Sequence, residues 1–286
     1  MINVLFLILN YKTYSDTIKV VHELLDTDRN DFKILIVDNS SPNNSFANIS
    51  REFADNSFVD VIITSSNEGY AKGNNYGLCY AKKYSPKYVC IMNNDVHFSW
   101  VTIESMCDIY EKVDNPAIIA PIQLLPGGKS PGFFDLKVPN LLYDIRMYTY
   151  FFKPQKHIYK SNTGLSNVQK VGYIPGALLF TKYSVFEKLG FFNTETFLFC
   201  EERFTGKAVS EAGMNNYIVL DLFYLHEHSK TIKNEVTEKR QRKLIHEGRL
   251  LYHKKFSKCP SFAIFVLNLF YHLQEFEFNL LSYLKK

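Results

Sequence analysis

Short apolar runs alternate with amphipathic segments along the first 121 residues of the chain. Val4–Leu9 is continuously apolar, as expected of a strand buried on both faces of a sheet, and Thr17–Leu25 follows with apolar residues at helical spacing. Further strands are predicted at Lys33–Val37, Val59–Thr64, Tyr88–Met92 and Ala117–Pro121. The helices between them are predicted at Phe46–Phe53, Tyr70–Lys83 and Val101–Lys112. Repeated strand–helix units predict an α/β fold with parallel strands and right-handed crossovers.

The pattern changes after residue 121. Residues 122–170 carry several Pro and Gly residues and an aromatic-rich stretch, and we interpret them as a long excursion over the sheet. Order resumes with four predicted elements at Val171–Thr181, Ser184–Leu189, Glu201–Ala212 and Asn216–Leu220, the last of them a strand. We therefore predict a main domain at 1–229, with halves at 1–121 and 122–229, and a helical C-terminal extension at 230–286.

The C-terminal extension differs in charge from the rest of the chain. Residues 230–286 hold 12 Lys and Arg against 5 Asp and Glu, whereas the net charge of the whole chain is only +4. Glu235–Lys258 is predicted as a charged helix, and Ser261–Leu284 as an apolar helix with one narrow polar stripe. The stripe consists of Asn268, His272, Glu275, Asn279, Ser282 and Lys286.

The apolar faces of the last helix must be covered. Three alternatives stay open: the helix docks on its own domain, it pairs with a second subunit in a homodimer, or it lies in the membrane interface beside its basic neighbours. The overall charge is too small to argue for nucleic acid as a partner.

The cysteines and the apolar runs indicate a compartment. Five cysteines without a CxxC pair predict reduced, mostly buried thiols in a reducing environment. The N-terminal apolar run is too short for a signal peptide, and no run approaches the ~20 apolar residues of a membrane span. Together with the basic extension, this predicts a cytoplasmic protein that is peripheral at the inner face of the plasma membrane.

Polar residues follow the predicted strands directly. In an open parallel sheet, ligands bind beyond the carboxyl ends of the strands, so these residues meet at one edge. Turns favour the same residue types, but their joint presence at five strand ends predicts a ligand cleft. No GxGxxG follows the first strand, and no P-loop motif is present. The clusters are Asn10-Tyr11, Asp38-Asn39-Ser40, Ser65–Gly69, Asn93-Asn94-Asp95, and Asp221 with His226–Ser229.

Taken in order, the motifs resemble those of the family 2 glycosyltransferases, especially the rhamnosyltransferase-like members that build bacterial surface polysaccharides such as capsules. The resemblance covers about residues 3–229. It implies a GT-A fold with a mostly parallel central sheet flanked by helices, an inverting mechanism, a UDP- or dTDP-sugar donor, Mn²⁺ or Mg²⁺, and a glycan or lipid-linked acceptor. It rests on Asn10-Tyr11 with Thr13, Val37–Ser41, Asn67–Gly69 with Gly73–Asn75 and Gly77, Met92–Asp95, Gly172 with Gly176-Ala177, Leu189–Phe192 and Phe197–Glu202.

The resemblance also implies roles for single residues at the nucleotide end. Asp38 matches the carboxylate that hydrogen-bonds the base or its ribose. Asp95 matches the last acid of the DxD-type metal motif, whose other places are taken here by Asn93 and Asn94. As a residue at a strand end, Asp95 is expected to be exposed. The loop that frames the base and the segments that line the nucleotide correspond to Asn10, Tyr11, Asn67, Gly73, Asn74 and Asn94.

At the other end of the site, the resemblance implies a base and a histidine. Glu201 and Glu202 match an acidic pair, usually Glu-Asp, whose second member removes the acceptor proton. Two adjacent acids repel, which can raise the pKa of one of them, and Arg203 could hold the pair ionised. Two Glu at a helix start also simply complement the helix dipole. His226 or His228 matches the histidine that completes the metal or diphosphate site.

Two further functions are weighed against glycosyl transfer. A catalytically silent protein that binds a sugar nucleotide or assists assembly would keep the fold, and the altered Glu201-Glu202-Arg203 segment keeps this alternative open. A nucleotidyltransferase would need a Gly-rich loop with Arg or Lys after the first strand, which Asn10-Tyr11-Lys12 does not supply.

Overall fold

The computed structural model describes residues 2–131, 137–149, 160–227 and 237–284. Within these ranges, nine strands form one mixed sheet in the order β3-β2-β1-β4-β8-β6-β9-β5, with β7 paired to β9 beside this path. The strands are β1 (Val4–Asn10), β2 (Phe32–Asp38), β3 (Val59–Ile63), β4 (Tyr88–Asn93), β5 (Val96–His97), β6 (Pro116–Leu124), β7 (Val168–Val171), β8 (Leu178–Lys182) and β9 (Asn215–His226).

The N-terminal half of the sheet is parallel, as predicted. β1 pairs in parallel with β2 and β4, and β2 pairs in parallel with β3. β8 lies between β4 and β6 and is antiparallel to both. β6 therefore runs in the same direction as β4 but is not its neighbour in the sheet order. β9 is parallel to β6. The carboxyl ends of β1, β2, β4, β6 and β9 therefore face the same edge.

Nine helices lie in the described ranges and flank the sheet. α3 packs closely on β1 and β2 because its glycines face them: an added Cβ would lie 2.6 Å from Leu9 Cδ1 at Gly73 and 2.5 Å from Leu7 Cδ1 at Gly77. The glycines at spacing four thus serve helix–sheet packing. The helices are α1 (Tyr14–Leu25), α2 (Ser45–Glu52), α3 (Tyr70–Ala81), α4 (Trp100–Tyr110), α5 (Leu141–Tyr148), α6 (Tyr183–Lys188), α7 (Glu201–Glu211), α8 (Glu238–Phe256) and α9 (Pro260–Leu284).

The prediction for the last strand is wrong in its extent. β9 continues to His226, and its pairing with β6 jumps from Pro121–Val219 to Ile122–Phe223. Three extra residues of β9 lie in this irregularity, as in a bulge. Asp221 is one of them, so it does not follow the strand. It is exposed and accepts hydrogen bonds from Asn167.

The excursion after residue 121 contains more structure than the sequence predicts. β6 extends to Leu124, α5 occupies Leu141–Tyr148, and β7 begins at Val168. The segment predicted as one ordered stretch, Val171–Thr181, is divided between β7 and β8. The aromatic and Pro-rich sequence shows no clear helical pattern, so the short helix α5 is not predicted from it. At its start, Asn140 acts as the N-cap, because its side chain accepts a hydrogen bond from the Tyr143 amide at 3.0 Å.

The C-terminal helices pack against each other, and α9 also packs on α5. Part of the polar stripe faces inward: Asn268 Oδ1 lies 3.0 Å from His246 Nε2, and Glu275 is paired with Arg242. The first of the three alternatives is therefore right for one face of α9. The opposite face presents exposed apolar side chains at spacings of three and four: Phe262, Phe265, Leu269, Leu273, Phe276 and Leu280.

Two findings bear on the compartment predictions. Among the described helices, none is long and apolar enough to cross a membrane. Cys90 and Cys200 are buried, but Cys79 and Cys259 are exposed, so the prediction of mostly buried thiols is wrong for these two. They lie at the surface of α3 and in the turn before α9, where no core packs over them.

Candidate active site

A network of neutral donors around Asp38 joins the ends of β1 and β2. The Asp38 carboxylate is fully buried and accepts from Asn10 Nδ2 at 2.6 Å and from Ser41 N and Oγ at 2.8 and 2.9 Å. The Lys12 amide in turn donates to Ser41 Oγ at 2.9 Å. Asp38 therefore fixes the two loops that follow these strands, including half-buried Tyr11. Contact of either residue with a nucleotide stays a prediction.

Asn94 extends this network from the end of β4. Its Nδ2 lies 2.8 Å from both Thr13 Oγ1 and Thr17 Oγ1, and Thr17 Oγ1 donates to Asn10 Oδ1 at 2.8 Å. Asn94 is 6% exposed, and its hydrogen bonds hold the loop after β1 in place. Three strand ends that the sequence predicts to meet are thus in direct contact.

The loop before α3 reaches across to the other half of the molecule. Asn67 Oδ1 accepts from the Gly69 amide at 3.0 Å, and Asn74 Nδ2 donates to the Tyr70 carbonyl at 3.0 Å. Gly69 has φ +95°, and an added Cβ would lie 1.9 Å from the Phe197 carbonyl oxygen. The Tyr70 amide donates to the same oxygen at 3.0 Å. Only glycine fits this contact, which holds the start of α3 against the segment before α7.

Asp95 and His226 lie together at the sheet edge. Asp95 Oδ1 is 3.3 Å from His226 Nε2. Asp95 is only 3% exposed, so the expectation of an exposed strand-end carboxylate is wrong. The reason is β5, which follows at once and pairs with β9, the strand that ends at His226.

Both ring nitrogens of His226 have polar neighbours. Gln123 Nε2 lies 3.0 Å from His226 Nδ1, and Tyr224 donates to Gln123 Oε1 at 3.3 Å. Asn93 Nδ2 lies 3.4 Å from His226 Nε2, on the side of the ring that faces Asp95. A metal ligated by Nε2 would require the ring proton on Nδ1, with the Gln123 side-chain oxygen turned to accept it.

The donor set at this edge fits a divalent metal that binds both oxygen and nitrogen. A carboxylate and an imidazole converge, which suits Mn²⁺, whereas Mg²⁺ would rely on the carboxylate. No three His, Cys, Asp or Glu side chains converge anywhere in the described ranges, so diphosphate oxygens and water would have to supply the other ligands. His228 lies outside the described residues.

One cavity joins this edge to the acidic pair. It has a volume of about 240 Å³ and is lined by Asn93 and His226 at one end and by Glu201 and Glu202 at the other. Tyr70 lines it between these ends, and its hydroxyl donates to the Gly176 carbonyl at 2.7 Å. The structure therefore brings together the two groups of residues that the resemblance assigns to the diphosphate and to the acceptor proton.

The backbone before the acidic pair adopts an unusual conformation. Phe199 and Cys200 have φ values of 71° and 72°, in the left-handed region that non-glycine residues rarely adopt. Each such residue costs on the order of 1–3 kcal/mol, so packing must hold them in place. Cys200 packs with Phe204 and Tyr252 in a small second core formed with α8. This turn directs both carboxylates of the first turn of α7 into the cavity.

The two carboxylates differ in their surroundings. Glu201 is 6% exposed, and its Oε1 has no hydrogen-bond partner in the part of the chain that the structure describes. Burial, and secondarily the charge of Glu202, raise the pKa of Glu201 to about 8. Burial also raises the pKa of Glu202, although Arg203 and Arg249 oppose this shift. Glu202 is only partly buried, so it is the more accessible of the two.

The sequence analysis missed a buried ion cluster next to this pair. Arg203 donates two hydrogen bonds to Asp144, at 2.6 and 3.0 Å, and does not pair with the glutamates. His253 Nε2 and Arg249 Nε lie 2.7 and 3.3 Å from the same carboxylate. Burial opposes ionisation of Asp144, but these three partners hold its pKa well below the usual range. Asp144 lies on α5 and its partners lie on α7 and α8, so no local sequence motif predicts the cluster.

Comparison with known proteins identifies the family. Residues 6–172 match the family described as glycosyl transferase family 2. The chain belongs to this family. A curated relative is the low-salt glycan biosynthesis hexosyltransferase Agl10 of Haloferax volcanii, 24% identical over 209 residues. The match covers 68% of this chain and 58% of the length of that relative.

Three solved structures resemble the chain, each at 13% sequence identity. GalNAc-T7 with UDP, GalNAc and Mn²⁺ has a TM-score of 0.61, with 80% of this chain and 44% of that chain covered. TarS 1–349 of S. aureus has 0.56, with 90% and 73% covered. The mannosyltransferase PcManGT of Pyrobaculum calidifontis, with GDP-Man and Mn²⁺, has 0.57, with 95% and 70% covered. These likenesses confirm the predicted GT-A fold.

Proposed function

We propose that this family 2 member is an inverting glycosyltransferase. It moves a hexosyl or deoxyhexosyl unit, such as rhamnosyl, from a UDP- or dTDP-sugar to a hydroxyl of a lipid-linked glycan in the synthesis of a surface polysaccharide such as a capsule. The observation that carries the proposal is the cavity lined both by Glu201 and Glu202 and by Asn93 and His226. The proposal is supported by a relative that is a hexosyltransferase of glycan biosynthesis, and by structural neighbours that hold UDP with GalNAc and GDP-Man.

Glu202 is the proposed base. An acceptor hydroxyl in the cavity gives its proton to Glu202 while its oxygen attacks the anomeric carbon, and the bond to the diphosphate breaks on the opposite side. Glu201, whose pKa is raised to about 8, holds its proton at neutral pH. In that state it adds no negative charge next to Glu202, and it can donate a hydrogen bond to the acceptor.

The sheet edge is the proposed diphosphate end. His226 and Asn93 line this end, and the side-chain amide of Asn93 can donate to diphosphate oxygens. Mn²⁺ or Mg²⁺, held by Asp95 and His226, would neutralise the charge that grows on the leaving diphosphate. His228 stays an alternative second ligand. We assign the base and ribose to the strand ends, loops and start of α3 that carry Asn10, Tyr11, Asp38, Asn67, Gly73, Asn74 and Asn94.

The C-terminal extension, which we assign to 230–286 beside a catalytic domain at 1–229, is the proposed contact with a membrane. α9 exposes an apolar face, and α8 carries exposed basic residues such as Lys239, Arg240 and Lys254. This combination suits a peripheral location at the inner face of the plasma membrane. A homodimer formed through the same apolar face is the alternative that size-exclusion chromatography distinguishes.

Matched amide variants test the base. Glu202→Gln keeps the shape of the side chain but cannot accept the proton, so transfer should fall by ~10²–10⁴-fold while donor affinity changes only a few-fold. Glu201→Gln is the matched variant, and it should keep most of the activity because Glu201 is already protonated at neutral pH. Activity is measured after a thermal-shift screen of UDP- and dTDP-sugars with Mn²⁺. A loss confined to Glu201→Gln would reverse the two roles.

A second function remains a candidate because of one residue. Glu202 stands where relatives usually carry Asp, so the chain could bind a sugar nucleotide without transferring it. Metal-dependent hydrolysis of the donor in the absence of an acceptor decides between the two functions: a silent protein binds the donor and leaves it intact.

A further inference from the structure

A second and larger cavity lies along the second half of α7 and the start of β9. It has a volume of about 970 Å³ and is bounded by residues 137–141, the end of β7, the second half of α7, and the turn between α8 and α9. None of the residues assigned to the nucleotide, the metal or the acceptor proton lines it. The sequence analysis did not predict it because its walls come from four distant segments.

The charge of this cavity has one sign. Four lysines line it, Lys137, Lys170, Lys207 and Lys258, and no carboxylate is among its described lining residues. Lys207 is paired with Glu211 at 3.0 Å, whereas Lys137, Lys170 and Lys258 are exposed and form no ion pair within the described ranges. A concave surface lined by cations concentrates a positive potential, which attracts an anion.

One wall of the cavity is apolar and continues out of it. Phe256 and Phe262 line the cavity, and Phe262 is 63% exposed. Phe262 is also the first residue of the exposed apolar face of α9, which runs on through Phe265, Leu269, Leu273, Phe276 and Leu280. A ligand with an anionic group and an attached apolar chain would match both parts of this surface at once.

The cavity adjoins the candidate active site. Gly206 and Asn216 line both cavities. Asn216 is 2% exposed, its Nδ2 donates to the Gly172 carbonyl at 3.3 Å, and its Oδ1 has no partner in the described part of the chain. Lys207 follows Glu202 by five helical residues, a rise of about 7.5 Å along α7. The unpartnered acceptor of Asn216 thus lies where the two cavities meet, and the proposed base lines the smaller of them.

We propose that this lysine-lined cavity binds a phosphate group carried on an apolar chain. The lysines contact the phosphate, and the chain lies along the exposed face of α9 in the membrane. That this phosphate belongs to the acceptor rests on the proposed function, whereas the binding itself does not. A glycan attached to such a phosphate would extend past Gly206 and Asn216 towards Glu202.

Two exposed thiols give the proposal a site-specific readout. Cys259 lines the cavity, and Cys79 lies elsewhere, on α3. Phosphatidylcholine vesicles that contain dihexadecyl phosphate should slow maleimide labelling of Cys259 at least about tenfold and leave labelling of Cys79 unchanged. Vesicles of phosphatidylcholine alone should slow it much less. Equal protection of Cys79 and Cys259 would overturn the proposal.

Matched charge variants separate a site from a general attraction to anionic surfaces. The double variant Lys137→Gln with Lys170→Gln removes two charges from the cavity. Lys112→Gln with Lys188→Gln removes two exposed charges that lie outside it, after α4 and at the end of α6. We expect flotation with the doped vesicles to weaken by about tenfold or more in the first variant and by less than about threefold in the second. Equal losses would reduce the effect to non-specific attraction and overturn the proposal.

A separate experiment tests whether the apolar chain of the ligand contributes to binding. Inorganic phosphate alone should protect Cys259 poorly, and Phe265→Gln with Leu269→Gln should weaken flotation with the doped vesicles. If inorganic phosphate protects Cys259 as strongly as the vesicles do, the lipid assignment is wrong. It is also wrong if Phe265→Gln with Leu269→Gln dissociates a dimer and leaves flotation unchanged. Hydrolysis of the sugar nucleotide is measured in parallel. If hydrolysis persists while vesicle binding is absent, the proposed glycosyl transfer is supported and the proposed phosphate site is wrong.

Discussion

Two buried aspartates show how differently the two halves of the molecule build their polar centres. Asp38 and Asp144 are both 0% exposed. Asp38, at the end of β2, accepts hydrogen bonds only from the neutral groups of Asn10 and Ser41 among the contacts found around it. Asp144, on α5, is surrounded by Arg203, Arg249 and His253. The first centre joins neighbouring strand ends, and the second joins three helices that are distant in sequence.

The difference matters because the two centres adjoin different parts of the proposed active site. The neutral network fixes loops without adding charge to the proposed nucleotide end. The ion cluster begins at Arg203, directly after the acidic pair, and its members Arg203 and Arg249 both oppose the rise in the pKa of Glu202. Arg249 lies on α8, so the C-terminal extension contributes to the electrostatics of the candidate base. α8 is therefore coupled electrostatically to the candidate site as well as packed beside it.

The largest effect is expected from neutralising Asp144. Asp144→Asn leaves the buried Arg203 without its counter-charge, and breaking a buried ion pair in this way costs ~3–5 kcal/mol of unfolding free energy. Asp38→Asn is the matched variant in the other half, and it should cost only about 1–2 kcal/mol because its hydrogen-bond donors are uncharged. Denaturant unfolding at pH 7 measures both. Equal losses of unfolding free energy in the two variants would mean that the two centres do not differ in how strongly they stabilise the fold.

The stability from Asp144 should also depend on pH. Its pKa is lowered in the folded state from the ordinary value of 3.8, so its contribution is fully present above that value and is lost as the pH falls below it. The difference in stability between the wild type and Asp144→Asn should therefore shrink in acid. A difference that is constant from pH 7 down to pH 3 would show that the carboxylate charge is not what stabilises the cluster.

The next effect concerns the metal end of the first half. Asp95→Ala should lower Mn²⁺-enhanced affinity for UDP or dTDP by at least about 10²-fold, since even second-shell partners of a metal site are worth 10–100-fold. Asp221→Asn is the control, because the sequence predicts Asp221 in the cleft but it lies in an exposed irregularity of β9. Titration with and without Mn²⁺ measures both variants. Unchanged affinity in Asp95→Ala would remove Asp95 from the site.

The first half could be predicted from the sequence because its geometry follows from topology. Continuous apolar runs such as Val4–Leu9 identify strands buried on both faces, and parallel order brings their ends to one edge. Asn10, Asp38 and Asn94 are found in contact there for that reason. Periodicity could not show that β8 is inserted between β4 and β6, because a short apolar run does not reveal its direction or its neighbours.

The second half could be predicted only in part, since its contacts join remote residues. The acidic pair at the start of α7 is where the motif predicts it, but Arg203 binds Asp144, which is 59 residues away. Asp144 and His253 are separated by 109 residues. The polar stripe of α9 is real, yet Asn268 and Glu275 face α8, and it is the apolar side that is exposed. Amphipathicity predicts two faces but does not say which one points inward when the partner helix is itself polar.

The smallest effect tests the protonation state of Glu201. The pKa of Glu201 is raised to about 8 in the folded protein from its ordinary value of 4.5, so this group binds more proton in the folded than in the unfolded state between these values. The contribution of Glu201 to stability should therefore fall as the pH rises from about 4.5 to about 8. Glu201→Gln cannot titrate, so it should be more stable than the wild type at pH 8.5, by about 1–2 kcal/mol, and no more stable near pH 4.5. Thermal unfolding across this range measures the difference, and Glu277→Gln, on an exposed position of α9, is the control that should show little dependence. An advantage of Glu201→Gln that does not grow with pH would mean that Glu201 is ionised in the folded protein, and Glu202 would then have no neutral neighbour to distinguish it as the base.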